Sequence, residues 1–143
     1  MATYITPFVT PVLGIITTYG ADDALGTKFS FPNVPEHGTI MSVVEIDRDD
    51  LGLEHDLYIS QVDFTEATDN EEFDITDADL TNCAGVVKLN TWFNFSLNQV
   101  CVVDNIALPY WAPGGELFCQ LITRGADNTP SADSIQIRLG IVY

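Results

Sequence analysis

Positive charge is what this sequence has least of: five Lys and Arg face 21 Asp and Glu, leaving a formal net charge of -16 over 143 residues. Affinity for a phosphate backbone comes from Lys and Arg that displace counterions. Lys28, Arg48, Lys88, Arg124 and Arg138 are scattered too widely along the chain to make a basic stripe. Nucleic acid is therefore not an expected partner, and an anionic membrane surface is disfavoured for the same reason. The acidity favours solubility, resistance to self-aggregation, and partners that are basic or met in salt.

Histidine and cysteine are almost as scarce. His37 and His55 are the two side chains that could serve as a neutral-pH base, and neither sits in a Gly-x-Ser-x-Gly elbow, a His-Glu-x-x-His helix or a phosphate loop. His55 heads a strand and His37 lies in a Pro-rich turn, so both are expected to be exposed and structural. No catalytic residue is assigned, and the chain is not expected to be an enzyme. Cys83, Cys101 and Cys119 form no Cys-x-x-Cys pair, and an odd count leaves at least one unpaired, so buried free thiols are expected.

Long apolar runs are missing too. No window approaches the roughly 18 apolar residues of a membrane-spanning helix. The segment Met1 to Gly20 lacks the basic start of a signal peptide, and Pro7 and Pro11 break its apolar stretch. Synthesis in the cytoplasm is the expectation.

What is present is β-rhythm. Runs rich in Val, Ile, Thr, Phe and Tyr alternate with Gly, Pro, Asn and Asp clusters, and helical periodicity is scarce. Strands are predicted near Val12 to Tyr19, Lys28 to Phe31, Thr39 to Ile46, His55 to Asp63, Ala84 to Asn90, Val100 to Leu108, Glu116 to Thr123 and Ser134 to Val142. The last shows the alternation best, with Ile135, Ile137, Leu139 and Ile141 on one face. The fold class expected is all-β, an antiparallel sandwich with one short helical turn over Thr76 to Leu80, capped by Thr76 and packed through Leu80. Turns are predicted at Phe31 to Pro35, after Ile46, at Pro109 to Gly115 and at Gly125 to Ala132. One core serves residues 21–143, and residues 1–20 read as an N-terminal arm or edge segment.

Two acidic stretches were weighed as cation sites. Asp47 to Gly52 begins like a calcium loop, but Leu51 holds the fifth position and Tyr58 the twelfth, where oxygen ligands belong. Asp63 to Asp79 carries eight acids and no base, which a solvated loop also explains. No metal and no cofactor are assigned. Aromatics in loops and arms are the better interface candidates, and Tyr4, Phe8, Tyr110 and Trp111 are expected to make contacts. A sugar-stacking role for Trp92 or Trp111 is the alternative.

The strings Ile40-Met41-Ser42-Val43-Val44-Glu45-Ile46-Asp47, Asp69-Asn70 with Phe73, Asp77-Ala78-Asp79-Leu80 and Gly85-Val86-Val87 resemble a family of small tailed-bacteriophage virion proteins. Leu108-Pro109, Gly115, Leu117, Arg124-Gly125 and Asp133 to Ile141 continue the likeness in the same order. The resemblance implies a jelly-roll-like domain of the capsid decoration or cement type, bound as a homo-oligomer to the major capsid protein on the outer head surface of the virion. This chain differs from that family in carrying far more acid. A carbohydrate-binding or host-adhesion module of the phage tail or fibre is the second reading.

Overall fold

A computed structural model describes residues 1–14, 19–50, 54–125 and 134–143. The described residues form two antiparallel sheets packed face to face. The larger contains β1 (Thr3–Ile5), β10 (Ile135–Val142), β3 (His37–Asp47), β7 (Gln99–Val103) and β6 (Trp92–Asn94) in that order, with β8 (Leu108–Trp111) also pairing β3. The smaller runs β2 (Ala24–Pro32), β9 (Glu116–Thr123), β4 (His55–Ser60), β5 (Cys83–Leu89).

β7 and β8 pair successive halves of β3, with Val103 opposite Val43 and Leu108 opposite Ile40. They are one strand interrupted by Asp104 to Ala107. Asn105 and Ala107 adopt positive φ there, and Ile106 N–H still donates to Met41 O at 3.1 Å. Counting that interrupted strand once and setting aside the short β6, the eight strands lettered B to I in chain order give sheets B-I-D-G and C-H-E-F. That is jelly-roll order.

The core follows from alternation. β10 is buried at every second residue, and Ile135, Ile137, Leu139 and Ile141 meet Leu57, Ile59, Leu117 and Leu121 of the facing sheet in one cluster. β4 is different, being buried at all six positions. Its outward side is covered by the β4–β5 connection, where Phe64, Phe73 and Ile75 pack over Tyr58 and Ile122. Burying both faces of a strand demands that its cover be fixed, and Gln120 does much of this. Its buried amide donates to Ala67 O (2.8 Å) and Gly26 O (3.2 Å) and accepts from Ala67 N–H (3.1 Å).

The same connection holds the N-terminal segment. Asp69 accepts from Gly14 N–H (2.8 Å), Gly26 N–H (2.8 Å) and the Tyr19 hydroxyl (2.7 Å). Gly26 sits where the β2–β9 register shifts, at φ 84°, and a Cβ there would come within 2.8 Å of Leu13.

Several expectations are corrected. Val12 to Gly14 and Tyr19 are not strand, because Pro11 interrupts pairing and Gly14 N–H goes to Asp69; residues 15–18 of that predicted strand lie outside the described residues. The arm instead contributes β1, which pairs with β10 of its own chain, and Val9, which bridges Ile137. Pro109 to Trp111 is strand, since an edge position spares Pro109 its missing N–H; the turn is confined to Ala112 to Gly115. Gly125 to Ala132 lies almost wholly outside the described residues. α1 (Asp77–Leu80) is capped by Thr76 Oγ1, which accepts from Asp79 N–H at 3.1 Å, but Leu80 is exposed and does not pack it.

Candidate functional site

Strand register fixes which side chains leave the larger sheet on its outer side. Across β6, β7, β3 and β10 one row reads Phe93, Val100, Ile46, Gln136, and the next reads Val102, Val44, Arg138. Beyond the bulges come Ser42 beside Gly140, then Pro109, Thr39 and Val142, and Trp111 beside His37. β1 adds Thr3 and Ile5. None of these outward strand positions is Asp or Glu, in a chain with 21 of them. Its fixed charge is positive: Arg138, whose guanidinium lies 4.9 Å from the Phe8 ring centroid, and Arg48 at the end of β3, whose Nη2 donates to Gln136 at 2.7 Å. Among the described residues, the carboxylates near it stand in turns, at Glu36, Asp49 and Asp50, and in the interruption between β7 and β8, at Asp104.

The opposite flank is acidic. Eight carboxylates lie on the β4–β5 connection over the smaller sheet. Several are engaged by the protein itself. Asp63 accepts from Lys28 Nζ at 2.5 Å, an interaction that holds its carboxyl below the usual range; Glu66 accepts from Lys28 N–H at 2.7 Å; and Asp79 accepts from Thr65 N–H at 3.2 Å. Among the described residues no group of three potential metal ligands converges. At the calcium-like start, Asp47 is buried and accepts from Gln99 Nε2 (2.8 Å), Ser134 Oγ (3.2 Å) and Asp49 N–H (3.0 Å); Leu51 and Gly52 lie outside the described residues.

The interface candidates separate. Trp111 is 54% exposed and stacks on His37 with ring centroids 6.3 Å apart. Tyr110 points the other way. It is 5% exposed, its hydroxyl donates to Pro35 O at 3.0 Å, and burial pushes its pKa up to about 12, so nearly all of its surface is spent inside its own chain. Strand parity is the reason: neighbours on β8 must face opposite sides. Tyr4 is half-buried against the core, and Phe8 is half-buried over Arg138. A hollow of about 380 Å³ is lined by Met1, His37, Gly38, Thr39, Tyr110, Val142 and Tyr143.

His55 corrects the expectation of an exposed histidine. It is fully buried, with Nδ1 2.6 Å from Glu45 Oε1 across the two sheets, and the half-buried ring of Trp92 stands edge-on to it at 5.9 Å. Trp92 is therefore packed against the interior, and Trp111 is the more exposed of the two rings. Glu45, Asp47 and Gln99 make one end of the interior polar, and the sequence reading missed them. Of the three thiols expected to be buried and free, Cys101 and Cys119 are buried and Cys83 is half-buried; burial raises Cys83 and Cys119, and takes Cys101 to about 11, away from the thiolate at neutral pH.

No family model matches the chain, and no curated protein matches it.

Proposed function

We propose that this chain is a structural component of a virus particle, a decoration protein of a tailed-phage head that lies on the outer shell with its larger sheet inward. The observation that carries this reading is the partition of charge. A protein of net charge -16 that met its partner at random would meet it through carboxylates, yet one whole sheet face has none at its outward strand positions. Desolvating that face costs little, because Val44, Ile46, Val100, Val102 and Phe93 supply apolar surface and its two cations are already engaged, Arg138 over the Phe8 ring and Arg48 on Gln136. The acidic connection then faces solvent, where it keeps particles apart. Jelly-roll order and the resemblance of residues 39–141 to virion proteins support the same reading. Its partners are the major capsid protein and neighbouring copies of the chain.

Co-sedimentation with purified empty shells of the encoding phage tests this. Saturable binding is expected, weakened about tenfold by Val44→Glu or Val102→Glu, a loss of roughly 1.4 kcal/mol. Wild-type protein that stays in the supernatant with intact shells contradicts it. Exposed Trp111 on His37 favours a second reading, stacking on a sugar. Glycan-array binding abolished by Trp111→Ala, with no binding to shells, would select that reading instead.

A further inference from the structure

Of the eleven large hydrophobic side chains exposed among the described residues, four lie within ten positions of one another: Phe93 (55%), Phe95 (62%), Leu97 (80%) and Val102 (42%). They belong to β6, β7 and the turn joining them. A loose loop could show such side chains by chance, but this turn is tied. Phe95 N–H donates to Asn98 O at 2.8 Å, Leu97 N–H to Phe95 O at 3.0 Å, and Ser96 N–H to Asn94 Oδ1 at 3.0 Å; Ser96 holds φ 80°. Asn94 Nδ2 in turn donates to Asp50 at 2.7 Å, anchoring the hairpin to the end of β3. The apolar tip is thus displayed in one conformation, and ordering it costs little on binding. β6 is also the terminal strand of its sheet.

We infer that this hairpin is the contact between copies of the chain, with Phe95 and Leu97 of one copy packed against the same hairpin of the next. Charge selects the occupant. Residues 80–103 contain no carboxylate and a single base, Lys88, the longest such stretch in the sequence. A basic partner would find its attraction on the acidic flank and nothing here. Two copies of a chain of charge -16 approach most easily where carboxylates are fewest; the one that touches this hairpin, Asp50, is engaged by Asn94, and at physiological salt charges more than about 8 Å away are screened. Self-complementary apolar surface is what a symmetric contact needs. This inference does not depend on the shell reading, since it concerns the purified protein alone.

Sedimentation-velocity measurements across a salt series provide the test. Wild-type chain at about 100 µM is expected to associate, and more tightly as NaCl rises from about 0.05 to about 0.5 M, because salt removes repulsion between like charges. Phe95→Glu with Leu97→Glu should be monomeric throughout, and the milder Leu97→Ser should weaken association about tenfold; circular dichroism melts matching wild type verify that both variants fold. A monomeric wild type at the highest salt overturns the inference. So does association that weakens with salt, or glutamate variants that assemble like wild type.

Discussion

Individual residues decide how the interior responds to pH. Tyr58 and Tyr110 are buried, and burial, aided at Tyr58 by nearby Cys83, pushes each pKa from 10.0 to about 12. Above pH 10 the unfolded chain releases these protons while the folded chain retains them. The unfolded state then binds fewer protons, so the tyrosines' share of stability is retained below pH 10 and falls as pH rises through 10 toward 12. Urea midpoints are expected to start falling at about pH 8, where the unfolded chain begins to release the buried Cys101 and Cys119 thiols, and to drop further by pH 11 as the tyrosines follow. Tyr58→Phe should make that drop smaller, leaving the share of Tyr110 and the thiols, while changing neutral-pH stability by less than about 1 kcal/mol, because its buried hydroxyl makes no well-formed hydrogen bond. Some of this interior was legible. Val43, Glu45 and Asp47 share parity on one strand, so two carboxylates on a core face were a readable sign of a buried polar end. Their partner was not: His55 lies on the other sheet, and nothing in spacing brings the two strands together. Tyr110 and Trp111 show the opposite case, where treating Pro109 as a turn residue hid the parity that sends one inward.

At the scale of elements, hydrophobic alternation found the strands that alternate. β3, β5 and β10 came through because each sets one face on the core, whereas β9, buried at every residue from Cys119 to Thr123, came through on its apolar run. β1 and β6, at three residues each, are too short to show a period. The interruption between β7 and β8 has no glycine to announce it; Asn105 and Ala107 take up the positive φ. The β4–β5 connection looked like a solvated acidic loop, yet it functions as a cover, since Phe64, Phe73 and Ile75 within it close over β4. Asp69 couples that cover to the arm and to the β2 bulge through three hydrogen bonds. Asp69→Ala is expected to cost about 3 kcal/mol by chemical denaturation, since it leaves two glycine N–H groups and a buried tyrosine hydroxyl without their acceptor. Asp69→Asn should cost about half as much by keeping one carbonyl oxygen in place.

For the whole molecule, acidity counted along the sequence excludes partners but says nothing of where the charge lies. The partition emerges only from register, which places Val44, Arg138 and Val102 in one row and sends the acids to turns and to the cover over the smaller sheet. A jelly roll with one face free of carboxylates at its outward strand positions and one acidic flank is suited to lying between a surface and solvent. The virion reading proposed above joins that asymmetry to the resemblance expected from the sequence strings between residues 39 and 141. Its most direct test is immunogold labelling of purified particles of the encoding phage, with the chain quantified in the same particles by mass spectrometry. The account predicts label over the outer head and a fixed stoichiometry to the major capsid protein. Particles free of the chain, or label confined to the tail, would contradict it.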